Sequence, residues 1–412
     1  MPNPIHLFQA YGVELEYMIV DSQSLSVRAL TDRVLYEVVG EFLSEIELGE
    51  IAWSNELALH VIELKTNGPV DTLAGLPALF QEHVVRINRL LQPLNARLMP
   101  TAMHPWMDPF AELQLWPHQY NPVYEAYNRI FDCRGHGWAN LQSVHLNLPF
   151  ADDNEFGRLH AAIRLIMPIL PALAASSPVM ESRLTGVADN RMQVYQGNSR
   201  RVPSITGKVI PEPVFTRKDY ETQILERMYR EIAPYDPDGE LQFEWLNSRG
   251  AIARFDRNTI EIRVLDVQEC PAADLAICNA ISHVLQAMTA ERWTSLKEQQ
   301  SFASESLLDI FSQIVTDAEQ TVIADEAYLG QFGIKQKQIA AGELWRHLVD
   351  AVVPAKAECR APLEMILKHG TLSRRIADSL EGDMELLKPV YRELCDCLAE
   401  GRMFVSPRLA VK

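Results

Sequence analysis

The chain has 412 residues, 47% of them hydrophobic and 23% charged, with a formal net charge of −17. That length suits one large domain or two ordinary ones, and the composition is that of a globular protein, not a disordered one. The acidity leaves no uniformly basic footprint and argues against a nucleic-acid partner, while the longest apolar stretch, within 165–173, is interrupted by Pro168 and Pro171 and is too short to span a membrane.

Gly12–Val20 alternates apolar and charged residues and reads as a strand. Residues 30–48 carry Val34, Leu35, Val38, Val39, Phe42 and Leu43 at helical spacing. Leu57–Leu64 reads as a second strand, closed by Asn67-Gly68-Pro69. A helix is expected over Thr72–Leu94, a strand over Trp138–Leu148 and a helix over Glu155–Leu170. Residues 181–217 show no sustained period and are punctuated by Gly186, Gly197 and Gly207, which suggests a long binding loop. From 183 to 217 this loop carries Arg183, Arg191, Arg200, Arg201, Lys208 and Arg217 against only Asp189 and Glu212, a basic excess that suggests anion binding. Tyr220–Ile232 reads as a helix, and Leu241–Trp245 and Thr259–Leu265 as strands. Beyond Pro271 the pattern is helical, with breaks near Gly330-Gln331-Phe332-Gly333 and at Pro354. Strands mixed with helices but lacking a regular βαβ rhythm point to an α+β fold with a mostly antiparallel sheet and a helical C-terminal region.

Cys133, Cys270, Cys278, Cys359, Cys395 and Cys397 form no paired Cys-x-x-Cys framework, so reduced thiols in a cytoplasmic protein are expected. The N-terminal stretch lacks the basic start and apolar run of a secretory signal. Trp106, Trp116 and Trp138 read as packing anchors, and His104 as a loop-shaping residue. There is no phosphate-binding Gly-x-x-x-x-Gly-Lys loop, no Gly-x-Gly-x-x-Gly fingerprint and no Gly-x-Ser-x-Gly elbow.

The chemistry-bearing residues are acids on strands. Glu14 and Glu16 are two apart and share a strand face, where like charges repel unless a cation lies between them. Glu56 and Glu63 flank an apolar run. His145 and Asn147 share one face of their strand, as do Glu261 and Arg263 of theirs. Carboxylates with one imidazole suit Mg²⁺ or Mn²⁺, and magnesium pairs naturally with the phosphates of ATP.

Gly12-Val13-Glu14-Leu15-Glu16, Glu56 to Glu63, Met103-His104-Pro105-Trp106, Val144-His145-Leu146-Asn147, Ser177-Pro178, Asn190-Arg191 and Thr259-Ile260-Glu261-Ile262-Arg263 occur in an order and spacing that resembles glutamate–cysteine ligase family 2, relatives of glutamine synthetase. The resemblance covers about residues 8–290. It implies a curved antiparallel sheet forming a funnel-shaped active site, with a catalytic core over 1–290 and a helical region over 291–412 packed on it. It further implies that Glu14, Glu16, Glu56, Glu63, His145 and Glu261 hold Mg²⁺ (or Mn²⁺), and that Arg191, Arg263 and Asn147 meet ATP or the substrate carboxylate. The implied reaction joins the γ-carboxylate of L-glutamate to the amine of L-cysteine through an acyl phosphate, releasing ADP and phosphate; apart from the resemblance, a homodimer is the assembly considered. Many relatives carry Gly-x-His-x-His where this chain has Leu141-Gln142-Ser143-Val144-His145, so one metal or nucleotide contact differs. A different amine acceptor, a binding homologue without turnover and a phosphagen-type kinase are the alternatives.

Overall fold

A computed structural model describes residues 4–406. Its centre is an eight-stranded sheet: β1 (Gly12–Asp21), β2 (Glu45–Leu48), β3 (Ile51–Asn55), β4 (Val61–Thr66), β5 (Ala96–Met99), β6 (Ser143–Pro149), β7 (Ala251–Arg254) and β8 (Thr259–Asp266). The spatial order is β2-β3-β4-β1-β6-β8-β7, with β5 on the distal part of β1, and every pairing is antiparallel.

Strand alternation divides the sheet chemically. Val13, Leu15, Tyr17 and Ile19 of β1, Trp53 of β3 and Leu146 of β6 are buried on one face. Helices cover that face. The Tyr17 hydroxyl lies 3.4 Å from Asp274 Oδ2 on helix Pro271–Thr289, and Trp53 Nε1 donates to His83 Nδ1 of helix Leu76–Leu91 at 2.9 Å. The opposite face carries Glu14, Glu16, Glu63, His145 and Glu261. One apolar core continues past residue 290: Tyr328 donates to the Leu165 carbonyl at 2.8 Å and Trp345 Nε1 to that of Ile169 at 2.7 Å. A second cluster packs helices Leu372–Leu380 and Leu387–Glu400 against Met18, Val20 and Met99. No helix among the described residues is long and apolar enough to cross a membrane.

Several elements differ from the expectation. The helix expected over 30–48 ends at Val39, because Gly40 adopts φ 78° and its N–H caps the Tyr36 carbonyl; β2 follows. The strand expected over Leu57–Leu64 is half of a hairpin. β3 ends at Asn55, residues 56–60 turn, and β4 starts at Val61. Leu57 and Leu59 mimic strand alternation because they bond the neighbouring segment, Trp116 N to Leu57 O at 3.0 Å and Leu59 N to Gln114 O at 2.8 Å. Trp138 sits in the short helix His136–Ala139, and its strand starts only at Ser143. Leu241–Trp245 is no strand; a 3₁₀ turn occupies Glu244–Leu246, and the unanticipated β7 follows. The segment 181–217 is largely irregular but contains the helix Asn190–Tyr195.

Candidate active site

Register brings the acids together. Glu14 lies opposite Lys65 on β4 and His145 on β6, Glu16 lies opposite Glu63, and Asn147 lies opposite Glu261. Glu56, just beyond β3, joins them through the hairpin. Its carboxylate, that of Glu16 and that of Glu63 offer oxygens all within 4.8 Å of one another, and Glu14, Glu63 and His145 form a second such triad. At about that separation two unit charges repel by roughly 4 kcal/mol at an effective dielectric near 20.

His145 is the internal counter-charge. Its Nδ1 donates to Glu14 Oε2 at 2.7 Å and lies 3.7 Å from Glu261 Oε1. Its Nε2 meets Ser143 Oγ at 3.0 Å, and that hydroxyl donates to Glu16 Oε2 at 3.0 Å. The Ser143 backbone N–H also donates to Glu16, at 2.6 Å. Asn147 Nδ2 donates to Glu14 Oε1 at 3.1 Å. A Cβ on Gly12 would meet Asn147 Cβ at 3.1 Å, so glycine there leaves the amide its place.

Burial and charge act unequally on these groups. Burial opposes ionisation of Glu14, but the hydrogen bond and charge of His145 outweigh it and hold the carboxyl down at about 2. Burial also opposes the charge on His145, yet Glu14 lifts the imidazole to about 9. Burial, with the Glu14 charge adding to it, pushes Glu63 up to about 7 despite Lys65 and a 2.7 Å hydrogen bond from Ser54 Oγ. Burial and then the charges of Glu16 and Glu63 push Glu56 well above the ordinary carboxylate range. The protein alone thus supplies too little positive charge for these acids. Hard, oxygen-rich donors crowded in this way fit a divalent cation of the magnesium or manganese type.

Glu261 and Arg263 share a face as expected, with Arg263 Nε 3.1 Å from Glu261 Oε1. A register shift in the β8–β6 pairing between Ile262 and Leu265 places Arg263 at a bulge, the irregularity that re-aims side chains beside active sites. Arg191 lines the same cavity, but its guanidinium is engaged. Nη1 lies 3.3 Å from Asp266 Oδ1 and Nη2 donates to the Arg263 carbonyl at 2.6 Å. The Asp266 carboxylate also accepts from Ser177 Oγ at 2.9 Å, and Asn190 Nδ2 donates to the Ser177 carbonyl at 2.7 Å. The Ser177-Pro178 and Asn190-Arg191 motifs therefore build a brace behind β8. The other loop cations do not converge: Arg183 pairs with Glu181, Lys208 with Glu305 and Arg217 with Glu221, while Arg201 lies over the Tyr235 ring. Charge counting over 183–217 overstated its anion-binding character because Glu181 and Glu221 lie just outside the counted window and Glu305 comes from a distant helix. His104 lies within a loop cluster, its Nε2 bonded to the Leu25 carbonyl at 2.7 Å.

Three cavities lie about the acids, the third sharing lining residues with each of the other two. One of about 290 Å³ is lined by Glu16, Glu56, His145, Arg191, Arg263 and aromatic residues including Trp138. A second, about 620 Å³, includes Gly12, Glu14, Lys65, Thr66 and Asn147, and a third, about 870 Å³, includes Glu56, Glu63, Tyr124 and Arg254. Lys65, Ser143, Tyr124, Tyr127, Trp245 and Arg254 were not anticipated as lining residues. Lys65 had a visible signal: it stands two residues after Glu63 on the same strand face, and its Nζ lies 3.3 Å from Glu63 Oε1.

The family model described as glutamate–cysteine ligase family 2 matches residues 10–375. An uncharacterized protein of Archaeoglobus fulgidus is 35% identical over 280 residues, covering 68% of this chain and 75% of its own length. A Rubrobacter xylanophilus protein provisionally named glutamate–cysteine ligase 2-3 is 27% identical over 369 residues, 87% of each chain. In structure, the chain resembles a glutamate–cysteine ligase of Francisella tularensis in complex with AMP, with a TM-score of 0.58 at 13% identity over 98% of this chain and 91% of that one. It also resembles a bifunctional glutathione synthetase of Pasteurella multocida, with a TM-score of 0.55 at 14% identity over 96% of this chain and 52% of that one. Both likenesses are of fold. With its antiparallel sheet and the matched span of 10–375, this chain belongs to glutamate–cysteine ligase family 2 and is an ATP-dependent carboxylate–amine ligase.

Proposed function

We propose that the protein joins the γ-carboxylate of L-glutamate to an amine, with ATP converting that carboxylate to an acyl phosphate. The observation that carries this reading is the convergence of Glu14, Glu16, Glu56, Glu63, Glu261 and His145 at one sheet face beside cavities that share Glu56, Tyr124, Tyr127 and Trp245. Those acids and His145 would hold Mg²⁺ or Mn²⁺. Cations bound there would neutralise phosphate oxygens and draw charge from the phosphoryl group in transfer.

The protein's own groups do the rest. A carboxylate is a poor acyl donor because oxide is its leaving group; attack on the γ-phosphorus replaces oxide with phosphate. Arg263, paired on one edge with Glu261, presents its remaining donors to a phosphate or to the α-carboxylate of glutamate. Arg191 holds the Arg263 backbone through its carbonyl and so sets where that guanidinium points. Asn147 keeps the Glu14 carboxylate oriented. Aromatic residues on one side of the cavity exclude water that would hydrolyse an acyl phosphate.

L-Cysteine is the acceptor that the family's name supplies, with γ-glutamylcysteine as product. The aromatic side of the cavity favours a bulkier amine with the same chemistry. ADP release is the test. It should require glutamate, an amine and Mg²⁺ or Mn²⁺ together, with a product mass equal to the two substrates less water. Unchanged turnover in excess chelator, or ADP release independent of any carboxylate, would overturn the reading.

A further inference from the structure

Glu63 is the acid common to both triads, Glu14–Glu63–His145 and Glu16–Glu56–Glu63, and a lysine lies against it. Lys65 follows Glu63 by two residues on β4 and shares its face. Its Nζ lies 3.3 Å from Glu63 Oε1 and 2.6 Å from Oε2 of Glu45, an exposed residue of β2. Register sets Lys65 opposite Glu14 on β1 and Ala52 on β3, and alanine is too short to pin the lysine stem.

The second and third cavities meet at this side chain, because Lys65, Glu45 and Arg257 line both. A ligand that extends from one to the other passes the ammonium. Among the described residues, the cations lining the third cavity are Lys65, Arg254 and Arg257. Arg254 is committed to Asp256 through bonds of 3.0 and 3.2 Å, and its Nη1 lies 3.9 Å from Glu261 Oε2. Arg257 stands on the exposed turn after β7, its Nε 3.9 Å from Asp256 Oδ2. Lys65 is therefore the cation that borders both cavities and also touches an acid of the proposed metal set.

That position carries a conflict. A divalent cation held by Glu63 and an ammonium 3.3 Å from the same carboxylate would repel each other, so one of them must give way. Lysine is suited to moving: it is a compact charge on a flexible four-carbon stem. Its other partner, Glu45, is exposed, and water screens such a pair so that it holds only weakly. A phosphate chain carries several negative charges and competes well with that single carboxylate.

We propose that Lys65 is an exchangeable cation, paired with Glu63 until a divalent cation takes that carboxylate and then with the phosphate chain of ATP, so that metal and nucleotide each favour the binding of the other. This rests on the reading of these acids as a divalent-cation site. Without nucleotide, Lys65 competes with the metal for Glu63. With nucleotide, it has turned to phosphate oxygens and no longer competes. The two ligands are thus linked through one side chain, and the linkage is reciprocal.

The test titrates the full chain with Mn²⁺, read by electron paramagnetic resonance, both alone and with the β,γ-imido analogue of ATP at saturation. Affinity for the analogue in saturating Mn²⁺ is measured by calorimetry. Lys65→Met should bind Mn²⁺ alone about fivefold more tightly than the wild type, should lose that gain when the analogue is present, and should bind the analogue about tenfold more weakly. Lys65→Gln, a second variant that keeps a polar contact for Glu45, should show the same pattern. An equal gain in Mn²⁺ affinity with and without the analogue would mean a fixed field in place of an exchange and would overturn the proposal. Weaker or unchanged binding of Mn²⁺ alone in both variants, or unchanged binding of the analogue, would overturn it too. A wild-type chain that binds the analogue but no Mn²⁺ would overturn the metal reading beneath it, and one that binds neither would overturn the proposed function as well.

Discussion

Two buried sets of charges in this molecule are built on opposite plans. Beneath the C-terminal helices, Arg375 and Glu269 are both fully buried and matched one to one at 2.5 Å, with the Phe404 N–H and carbonyl adding bonds at 3.2 and 2.6 Å, although Glu269 Oε2 and Arg375 Nη2 find no partner. On the open sheet face, Glu14, Glu16, Glu56, Glu63 and Glu261 share the charges of His145, Lys65, Arg254 and Arg263, and burial with mutual repulsion drives Glu56 and Glu63 toward the protonated form. The first arrangement holds the fold together. The second costs stability and is the mark of a site that awaits a partner of opposite charge. Charge burial is thus no guide to role until the partners are counted.

Mutations should separate the two plans. Arg375→Met leaves Glu269 buried without its cation, and a loss of about 3–5 kcal/mol in unfolding free energy is expected from chemical denaturation. A loss under about 1 kcal/mol would remove the contrast. Glu63→Gln should do the reverse. It should lower kcat about 10²–10³-fold, roughly 2.7–4 kcal/mol of transition-state stabilisation, while the melting temperature holds or rises because a repulsive neighbour is gone. Near-normal kcat would place Glu63 outside the machinery.

Arg191→Lys sharpens the contrast, since Arg191 combines the two plans within the site: it faces the cavity yet is paired with Asp266 like a structural residue. Lysine keeps the charge but cannot reach Asp266 and the Arg263 carbonyl together. About a 10–100-fold drop in kcat is expected with the fold retained. A pure rise in KM would instead make it an ordinary substrate contact.

The smallest effect concerns His104. Burial first, then the charges of His60 and His136, hold its imidazole down at about 3 even though the bond to the Leu25 carbonyl favours the proton. Its Nδ1 accepts from the Trp106 N–H at 3.3 Å, so a second ring proton has no place to go. The unfolded chain takes up that proton below about pH 6.5 and the folded chain only below about 3. Between those values the unfolded state binds more protons, and stability falls as pH falls. This group contributes a loss of about 1 kcal/mol between pH 7 and 5.5. Denaturation midpoints should therefore depend less on pH in His104→Gln than in the wild type; an equal slope would contradict the assignment.

The acids were legible in the sequence because strand alternation is local: Glu14-x-Glu16, His145-x-Asn147 and Glu261-x-Arg263 each declare a shared face within three residues. The hairpin between Glu56 and Glu63 was not, since residues 56–60 turn without glycine or proline and Leu57, Leu59 and Val61 preserve a strand-like period. The short alanine-containing β7 gave too weak a pattern to distinguish from a loop. The engagement of Arg191 was hidden because Asp266 is 75 residues away in sequence. The aromatic side of the cavity was invisible for a related reason: Tyr124 and Tyr127 share a helix, but Trp138 and Trp245 arrive from separate elements.

The central claim is that ATP activates a carboxylate on the acidic sheet face by phosphorylating it. Oxygen transfer tests this most directly. With the γ-carboxylate of glutamate labelled with ¹⁸O and turnover run in unlabelled water with Mg²⁺ and an amine, one labelled oxygen should appear in each inorganic phosphate released, as mass spectrometry would read it. Phosphate free of the label, with ADP still formed, would mean that the carboxylate is never phosphorylated and would contradict the account.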